Sequence, residues 1–171
     1  MKLLSLNPGR LGSQKGLTIG EIVVFILIAA ISYLTLIKVF DFANAKALES
    51  EMRTVMTNLA LNRMEIIRSK SFDENSTPTW STSLGPDAGE STESLFDDID
   101  DYDGLVETNV DGYTGFTRRC RVFYINRTVN VEDSVGVVTD LKRIVVTVYS
   151  SSDQPVEVNS LMSSRYNVLS Y

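Results

Sequence analysis

The sequence predicts an α+β fold in which one long N-terminal helix packs on a small antiparallel β-sheet. The chain has 171 residues, which is enough for one domain or for one domain with an appendage. No glycine or proline lies between Gly20 and Pro78, as expected for a long helix, and segments rich in Val, Ile, Tyr and Phe follow after residue 116. A long helix followed by a group of strands is typical of the α+β class.

The first half of the predicted helix is apolar on every side. No charged residue occurs from Ile22 to Ile37, and a helix from Leu17 to Ile37 would be about 31 Å long, which is the thickness of the hydrocarbon core of a bilayer. Residues 1–16 contain three basic residues and no acid, so their charge predicts a cytoplasmic N-terminus and an exported remainder. We therefore expect residues 17–42 to form one transmembrane segment and residues 43–171 to form the exported head.

The second half of the helix is predicted to be amphipathic and to continue to about Arg68. Its apolar residues recur at spacings of three, four and seven, with Glu49, Arg53 and Arg63 on other faces. The apolar positions are Ala45, Leu48, Met52, Val55, Leu59 and Ile66. Such a stripe requires a second layer to cover it.

The strands predicted near the C-terminus supply that layer. The predicted strands are Thr117–Asn126, Val135–Thr139 and Leu141–Ser150, with a fourth possible at Val156–Leu161. An antiparallel sheet packed on the amphipathic half of the helix would form a head of about 100 residues.

Charge and composition exclude several classes of function. The net charge is −6 and the pI is about 4.7, which argues against nucleic acid as a partner. The chain has no histidine and one cysteine, so Ser-His-Asp and Cys-His catalysis, imidazole metal sites and an intramolecular disulfide are excluded. Residues 72–117 carry twelve acids and no base, and residues 71–115 are predicted to form a long irregular acidic loop. We expect the protein not to be an enzyme.

Glu21 stands at the start of the apolar segment, where an unpaired carboxylate is costly. The sequence from Lys15 to Glu21 reads Lys-Gly-Leu-Thr-Ile-Gly-Glu and runs directly into the apolar residues. This segment resembles the processing site of type IV prepilins in residue order, spacing and context. The resemblance is strong over residues 15–42 and concerns general architecture beyond them.

The resemblance implies a leader peptide over residues 1–16 and cleavage between Gly16 and Leu17 by a prepilin peptidase. It also implies N-methylation of Leu17 and a pilin-like fold. Glu21 would be an assembly contact that neutralises the amine of an adjacent subunit in a filament. The implied partners are the peptidase, the bacterial inner membrane and other pilins or pseudopilins, which bind through the N-terminal helix. The head would be periplasmic before assembly into a pilus or pseudopilus.

Two departures favour a minor subunit over the major one of a fibre. Leu17 replaces the phenylalanine most common at the first mature position, and no proline lies near residue 38. We therefore expect a minor pilin that initiates, caps or decorates a type IV pilus. The run from Phe96 to Gly104 also resembles an Asp-rich segment of minor pilins of the mannose-sensitive haemagglutinin type. The alternatives are a type II secretion minor pseudopilin and a membrane-tethered periplasmic binding module.

An ordinary secretory signal is a further alternative. Residues 43–45 are Ala-Asn-Ala, which has the form that signal peptidase I prefers. The apolar segment is longer than the core of a typical signal peptide, and Lys38 and Asp41 lie between it and this site.

The Asp-rich run predicts either a calcium site or a solvated acidic turn. Asp101, Asp103 and Gly104 fit the middle of an EF-hand loop, but Ile99 and Val110 occupy its first and last ligand positions. A different loop site would use some of the five carboxylates of the run, which are Asp97, Asp98, Asp100, Asp101 and Asp103. No other cofactor is expected.

Cys120 lies in a predicted strand on the face shared by Val122 and Tyr124, so a buried thiol is expected and an intersubunit disulfide is the alternative. The neighbouring arginines, at 118, 119 and 121, either pair with the acidic loop or protect a strand edge. Trp80 and Tyr102 either contact a partner or fold back on the head.

Overall fold

The structure is a computed structural model that describes residues 16–75, 79–126, 134–151 and 154–164. One helix, α1, runs from Ile19 to Arg68 and packs on an antiparallel sheet of four strands in the order β1-β2-β3-β4. The strands are β1 (Val106–Thr108), β2 (Phe116–Tyr124), β3 (Leu141–Ser150) and β4 (Val156–Ser163). The α+β prediction of a long helix on a small antiparallel sheet is confirmed.

The chain divides into two compact units, residues 1–46 and 47–171. The described part of the first unit is the apolar half of α1, and its side chains are exposed throughout. Within α1 the most apolar window has a mean hydropathy of 2.6 and no residue buried. Among the described residues, α1 is the one helix long and apolar enough to cross a membrane. The predicted leader lies outside the described residues except for Gly16, which precedes α1.

The second unit, which we call the head, has its core between the last turns of α1 and the inner face of the sheet. The helix contributes the buried side chains of Met56, Leu59, Ala60, Met64 and Ile67. The inner face of the sheet contributes alternate residues of its two long strands. These are Cys120, Val122 and Tyr124 on β2, and Ile144, Val146 and Val148 on β3.

The predicted apolar stripe of α1 is wrong at several positions. Leu48 and Ile66 are exposed, whereas Arg63, which the periodicity puts on another face, is buried at 4 % exposure. The buried residues recur at the helical spacing from Met56 to Ile67, and Arg63 lies among them because two carboxylates of the acidic segment meet its guanidinium. Residue type alone could not show this partnership.

The strand predictions need three corrections. Residues 135–139 do not form a strand, because the chain turns there before β3; the Thr139 hydroxyl donates to the carbonyl of Ile125 at 2.8 Å. β2 begins one residue earlier and ends two residues earlier than predicted, and β4 extends to Ser163. The segment 71–115 is not wholly irregular, since it holds β1 and three single-turn 3-10 helices. These short helices are Glu93–Leu95, Asp100–Tyr102 and Val110–Gly112.

Candidate functional site

The start of α1 carries the motif that resembles a processing site. Gly16, Leu17 and Thr18 have no regular structure, and α1 begins at Ile19. Oε2 of Glu21 accepts hydrogen bonds from the backbone N–H of Thr18 at 2.8 Å and from its hydroxyl at 2.9 Å. Oγ1 of Thr18 accepts one from the N–H of Glu21 at 3.3 Å. This reciprocal arrangement is a capping box, which satisfies amide groups that the helix itself leaves unpaired.

The residues on either side of the predicted cleavage point are open to a protein partner. Leu17 is 75 % exposed, and, apart from the two residues that adjoin Gly16, no described atom lies within 4 Å of the position that a Cβ on Gly16 would take. Glu21 is the one charged residue between Gly16 and Ile37. The structure therefore places an accessible peptide bond and a fixed carboxylate within one turn of each other at the N-terminal end of α1.

The five carboxylates of the Asp-rich run do not point to a common centre. Asp98, Asp100 and Asp101 are buried, so the expectation of a solvated turn is wrong for these three. Asp103 accepts the N–H of Val122 at 2.8 Å and so joins the run to β2. Asp97 is exposed.

The buried carboxylates of this run accept backbone N–H groups. Oδ1 of Asp98 accepts the N–H of Asp100 at 2.9 Å and that of Asp101 at 3.3 Å, and Oδ2 accepts the N–H of Glu74 at 2.9 Å. Oδ2 of Asp101 accepts the N–H groups of Asp97 and Asp98. These bonds fix the fold of the loop, a structural use that the sequence analysis did not identify.

Two groups of carboxylates come close enough to share a cation, and neither is the predicted set. One comprises Asp73, Glu74 and Asp98, and the other comprises Glu90, Asp97 and Asp101; in each, one oxygen per residue lies within 4.8 Å of the others. Calcium takes six to eight oxygens, so either group would need several further ligands. Asp73 already accepts N–H groups of Asn75 and Ser81, and Glu74 accepts the Ser81 hydroxyl.

Lys142 is buried on the inner face of β3 and lies at the centre of this polar region. Its Nζ donates to Oδ1 of Asp100 at 2.6 Å and to the carbonyl of Phe72 at 2.7 Å, and it lies 3.3 Å from Oδ2 of Asp73. The rings of Phe72 and Tyr124 lie 4.6 and 5.2 Å from the same nitrogen. Sequence reasoning missed this cluster, although the alternation of β3 places Lys142 on the same face as Ile144 and Val146.

Burial, more than the excess of carboxylates over cations, sets the pKa values in this polar region. Burial, followed by the carboxyl groups of Asp100 and Glu74, raises the pKa of Asp98 to about 9. Burial also raises the pKa of Asp100, even though Lys142 opposes the effect. Burial therefore favours the protonated form of Asp98, while the three backbone N–H groups that it accepts favour the ionised form.

A second buried network joins α1 to the sheet. Glu107, in the middle of β1, accepts hydrogen bonds from Arg63 at 2.5 Å and from Arg118 at 2.7 and 2.9 Å. Arg118 also donates to the carbonyl of Leu59 at 2.9 Å, and Arg63 donates to Glu93. The expected pairing of the arginines with the acidic segment is thus confirmed for Arg118.

Cys120 and the loop aromatic residues are parts of the head. Cys120 is 1 % exposed, and burial raises the pKa of its thiol to about 12, so the expected buried thiol is confirmed. Tyr102 is buried edge-on against Phe96, and Trp80 packs edge-on against Phe72 with ring centroids 5.4 Å apart. Both aromatic residues fold back on the head.

Comparison of the chain with models of protein families, with curated proteins and with solved structures finds no match. The sequence motif, the exposed apolar helix and the head are therefore the observations on which a function can be argued.

Proposed function

We propose that this protein is a minor pilin of a type IV pilus, inserted in a bacterial inner membrane and processed by a prepilin peptidase. The observation that carries the proposal is the Lys15–Glu21 motif at the start of an exposed apolar helix. Cleavage after Gly16 would leave Leu17 as the first mature residue, available for N-methylation. The helix of residues 17–42 would then join the subunit to other pilins, while the head stays outside the membrane.

The role proposed for Glu21 follows from the cost of charge in lipid. The new α-amine of Leu17 is cationic, and both it and an unpaired carboxylate are unfavourable in an apolar layer. In a filament, the Glu21 carboxylate of one subunit would neutralise the amine of its neighbour, so that two charges costly apart become a pair. The capping box supports this role because it holds the carboxylate at the end of the helix where such an amine would lie. We propose no catalytic residue.

N-terminal analysis tests the cleavage step. The full chain is co-expressed with a prepilin peptidase, and the mature N-terminus is identified by sequencing and mass spectrometry. We expect Leu17 as the first residue, carrying one methyl group. Gly16→Leu should block cleavage because a side chain would stand at the bond, whereas the matched control Gly20→Ala should be cleaved normally. A first residue of Lys46, which signal peptidase I would give, or an uncleaved chain would contradict the proposal.

A second experiment separates the charge of Glu21 from its capping function. Glu21→Gln keeps an oxygen that accepts from Thr18 but removes the negative charge. We expect both Glu21→Gln and Glu21→Ala to be cleaved and yet to be lost from sheared filaments. Normal incorporation of Glu21→Gln would show that capping alone suffices. Normal function of both variants would instead favour the membrane-tethered binding module.

The filament system is the finer part of the proposal. A type II secretion pseudopilus is the alternative to a pilus of the mannose-sensitive haemagglutinin type. Deletion strains distinguish them: loss of surface pili supports the pilus, and loss of secreted enzymes with intact pili supports the pseudopilus.

A further inference from the structure

The outer face of the sheet, opposite α1, carries a basic surface. Alternation along β2 buries Cys120 and Val122 and exposes Arg119 and Arg121. On β3 the same alternation turns Lys142 inward and Arg143 outward. We call the outward side chains of Arg119, Arg121, Phe123, Arg143 and Tyr149 the basic face.

Aromatic rings hold the guanidinium groups of this face in place. Arg119 lies over Tyr149 at 5.4 Å, while Arg121 and Arg143 lie over Phe123 at 6.0 and 5.7 Å. A guanidinium resting on a ring keeps its N–H groups available to an acceptor and loses less freedom when it binds one. Arg119 and Arg121, placed against rings in this way, suit recognition of carboxylates.

Little negative charge lies beside Arg119 and Arg121 in the part of the chain that the structure describes. Within the described part of the chain, neither Arg119 nor Arg121 pairs with a carboxylate. Among the residues that the four strands turn outward, Glu157 is the one acid, and its Oε1 accepts from Asn159 at 3.0 Å. The net charge of the chain is −6, so a cationic surface means that its positive and negative charges are separated in space, which the overall pI does not reveal.

The complementary surface is on the same head. Glu74, Asp87 and Asp97 are exposed and Glu90 is half-buried; we call these four residues the acidic surface. The nearby carboxylate of Glu74 is the chief cause that raises the pKa of Asp87, so these acids repel one another. Glu74 neighbours Asp98 and Asp73, which lie on the side of the sheet that Lys142 faces. The acidic surface therefore does not neutralise the basic face within one chain.

We propose that the basic face binds the acidic surface of a second copy of this chain. The two patches differ, so each subunit would use its basic face on one neighbour and its acidic surface on another. Such a heterologous contact adds subunits in succession instead of closing a symmetric pair. The inference does not rest on the proposed function, because it concerns a contact between copies of this head and not the position of a minor subunit among other pilins.

The geometry favours a protein carboxylate over a nucleic acid as the occupant. Two guanidinium groups already cover the Phe123 ring, so the ring is not free to stack on a base. The twelve acids of residues 72–117 would also repel a polyanion.

Charge reversal with rescue tests the contact. The full, uncleaved chain is held in zwitterionic detergent micelles at less than one chain per micelle, and association is measured by sedimentation at low and high salt. The first variant is Arg119→Glu with Arg121→Glu, and the second is Asp87→Lys with Asp97→Lys. These side chains are exposed and make no hydrogen bond within the described residues, so the fold should be retained. Glu51→Lys, an exposed acid on α1 outside the acidic surface, is the control.

We expect salt-sensitive association of the native chain and of the control, and an association constant lower by on the order of tenfold for each reversal. Mixing the two reversed variants should restore association, because the reversed faces complement each other. Three results would overturn the contact. They are the absence of salt-sensitive association of the native chain, failure of the mixture of reversed variants to associate, and a Glu51→Lys association constant lowered as much as those of the reversals. Binding of a DNA oligonucleotide to native monomers, lost in the arginine variant, would overturn it in favour of nucleic acid.

The test does not depend on processing. Failure of cleavage at Gly16 with intact charge rescue would reject the pilin proposal and leave the contact standing. Normal cleavage without charge rescue would reject the contact alone.

Discussion

Nζ of Lys142 lies 2.6 Å from Oδ1 of Asp100 in the interior of the head, with both side chains buried. The two residues are 42 positions apart, so their pairing joins β3 to the acidic segment. Asp73 and the carbonyl of Phe72 complete the surroundings of the ammonium group. The acidic segment is therefore anchored to the sheet through its own buried charge.

Replacement of Lys142 by methionine should destabilise the head strongly. The substitution leaves buried carboxylates without their cation, a change that typically costs about 3–5 kcal/mol. The free energy of unfolding can be followed in urea by the fluorescence of Trp80, which packs on Phe72. Addition of Asp100→Asn should recover part of the loss. Arg121→Met, on the outer face, should change stability by no more than about 0.5 kcal/mol; equal effects of the two single variants would contradict the anchoring role.

Glu107→Gln tests the second buried network. Glu107 accepts from the two buried guanidinium groups of Arg63 and Arg118, so loss of its charge should lower the free energy of unfolding by about 3 kcal/mol. The matched substitution Glu65→Gln, at an exposed position of α1, should have little effect. Urea titrations of both variants provide the comparison. An unchanged free energy of unfolding for Glu107→Gln would show that Glu93 alone satisfies Arg63.

The sequence was informative where local pattern decides structure. The absence of glycine and proline predicts α1, and alternation of apolar residues predicts β3 over its whole length. It failed at β1, a three-residue strand with a glutamate at its centre. It also failed at Arg63, whose partners Glu93 and Glu107 lie 30 and 44 residues away, and at Asp98, which accepts the N–H of Glu74 from 24 residues away. Pairings of that separation leave no local periodicity from which they could be predicted.

The same distinction applies to the candidate site. The order of residues from Lys15 to Glu21 is a local motif, and the sequence alone predicts its processing. The structure adds the capping box between Thr18 and Glu21, for which the Thr-x-x-Glu spacing was a visible sign. The basic face required the sheet register, since the two long strands contribute its arginines.

Cys120 should be almost inert in the folded protein. Its thiol is buried and its pKa is about 12, so the reactive thiolate is scarce and shielded. We expect an aromatic disulfide reagent to react roughly a thousandfold more slowly with the native chain than with the chain in urea. A cysteine placed at exposed Ser83 in a Cys120→Ala background is the control and should react rapidly in both states. Rapid native reaction of Cys120 would instead support an intersubunit disulfide.

Calcium should leave the stability of the head unchanged. Five of the six oxygens of the group Asp73, Glu74 and Asp98 already accept hydrogen bonds. In the other group, one oxygen each of Glu90 and Asp101 accepts backbone N–H groups. We expect equal thermal midpoints for the full chain in EDTA and in millimolar calcium, because a ligand that binds only the folded state would raise the midpoint. A calcium-dependent rise that Asp97→Asn abolishes would locate a site at Glu90, Asp97 and Asp101.

Asp98 should make the head less stable as the pH rises. With its pKa raised to about 9, Asp98 would hold its proton in the folded state up to that pH, whereas the unfolded chain releases it near pH 3.8. The resulting stabilisation is complete below about pH 4 and decreases as the pH rises toward 9. Asp98→Asn removes this titration but loses the acceptor for the N–H of Glu74, at a cost of about 1 kcal/mol.

We therefore expect the Asp98→Asn variant to be slightly less stable than the native chain near pH 4 and clearly more stable than it at pH 8. Urea titrations at several pH values between 4 and 9 measure the difference. Asp87 is an exposed carboxylate in the same segment, and the free energy of unfolding of Asp87→Asn should vary with pH nearly as that of the native chain does. A constant difference between Asp98→Asn and the native chain across this range would mean that Asp98 is ionised in the folded head, with its charge balanced by the backbone N–H groups that it accepts and by Lys142.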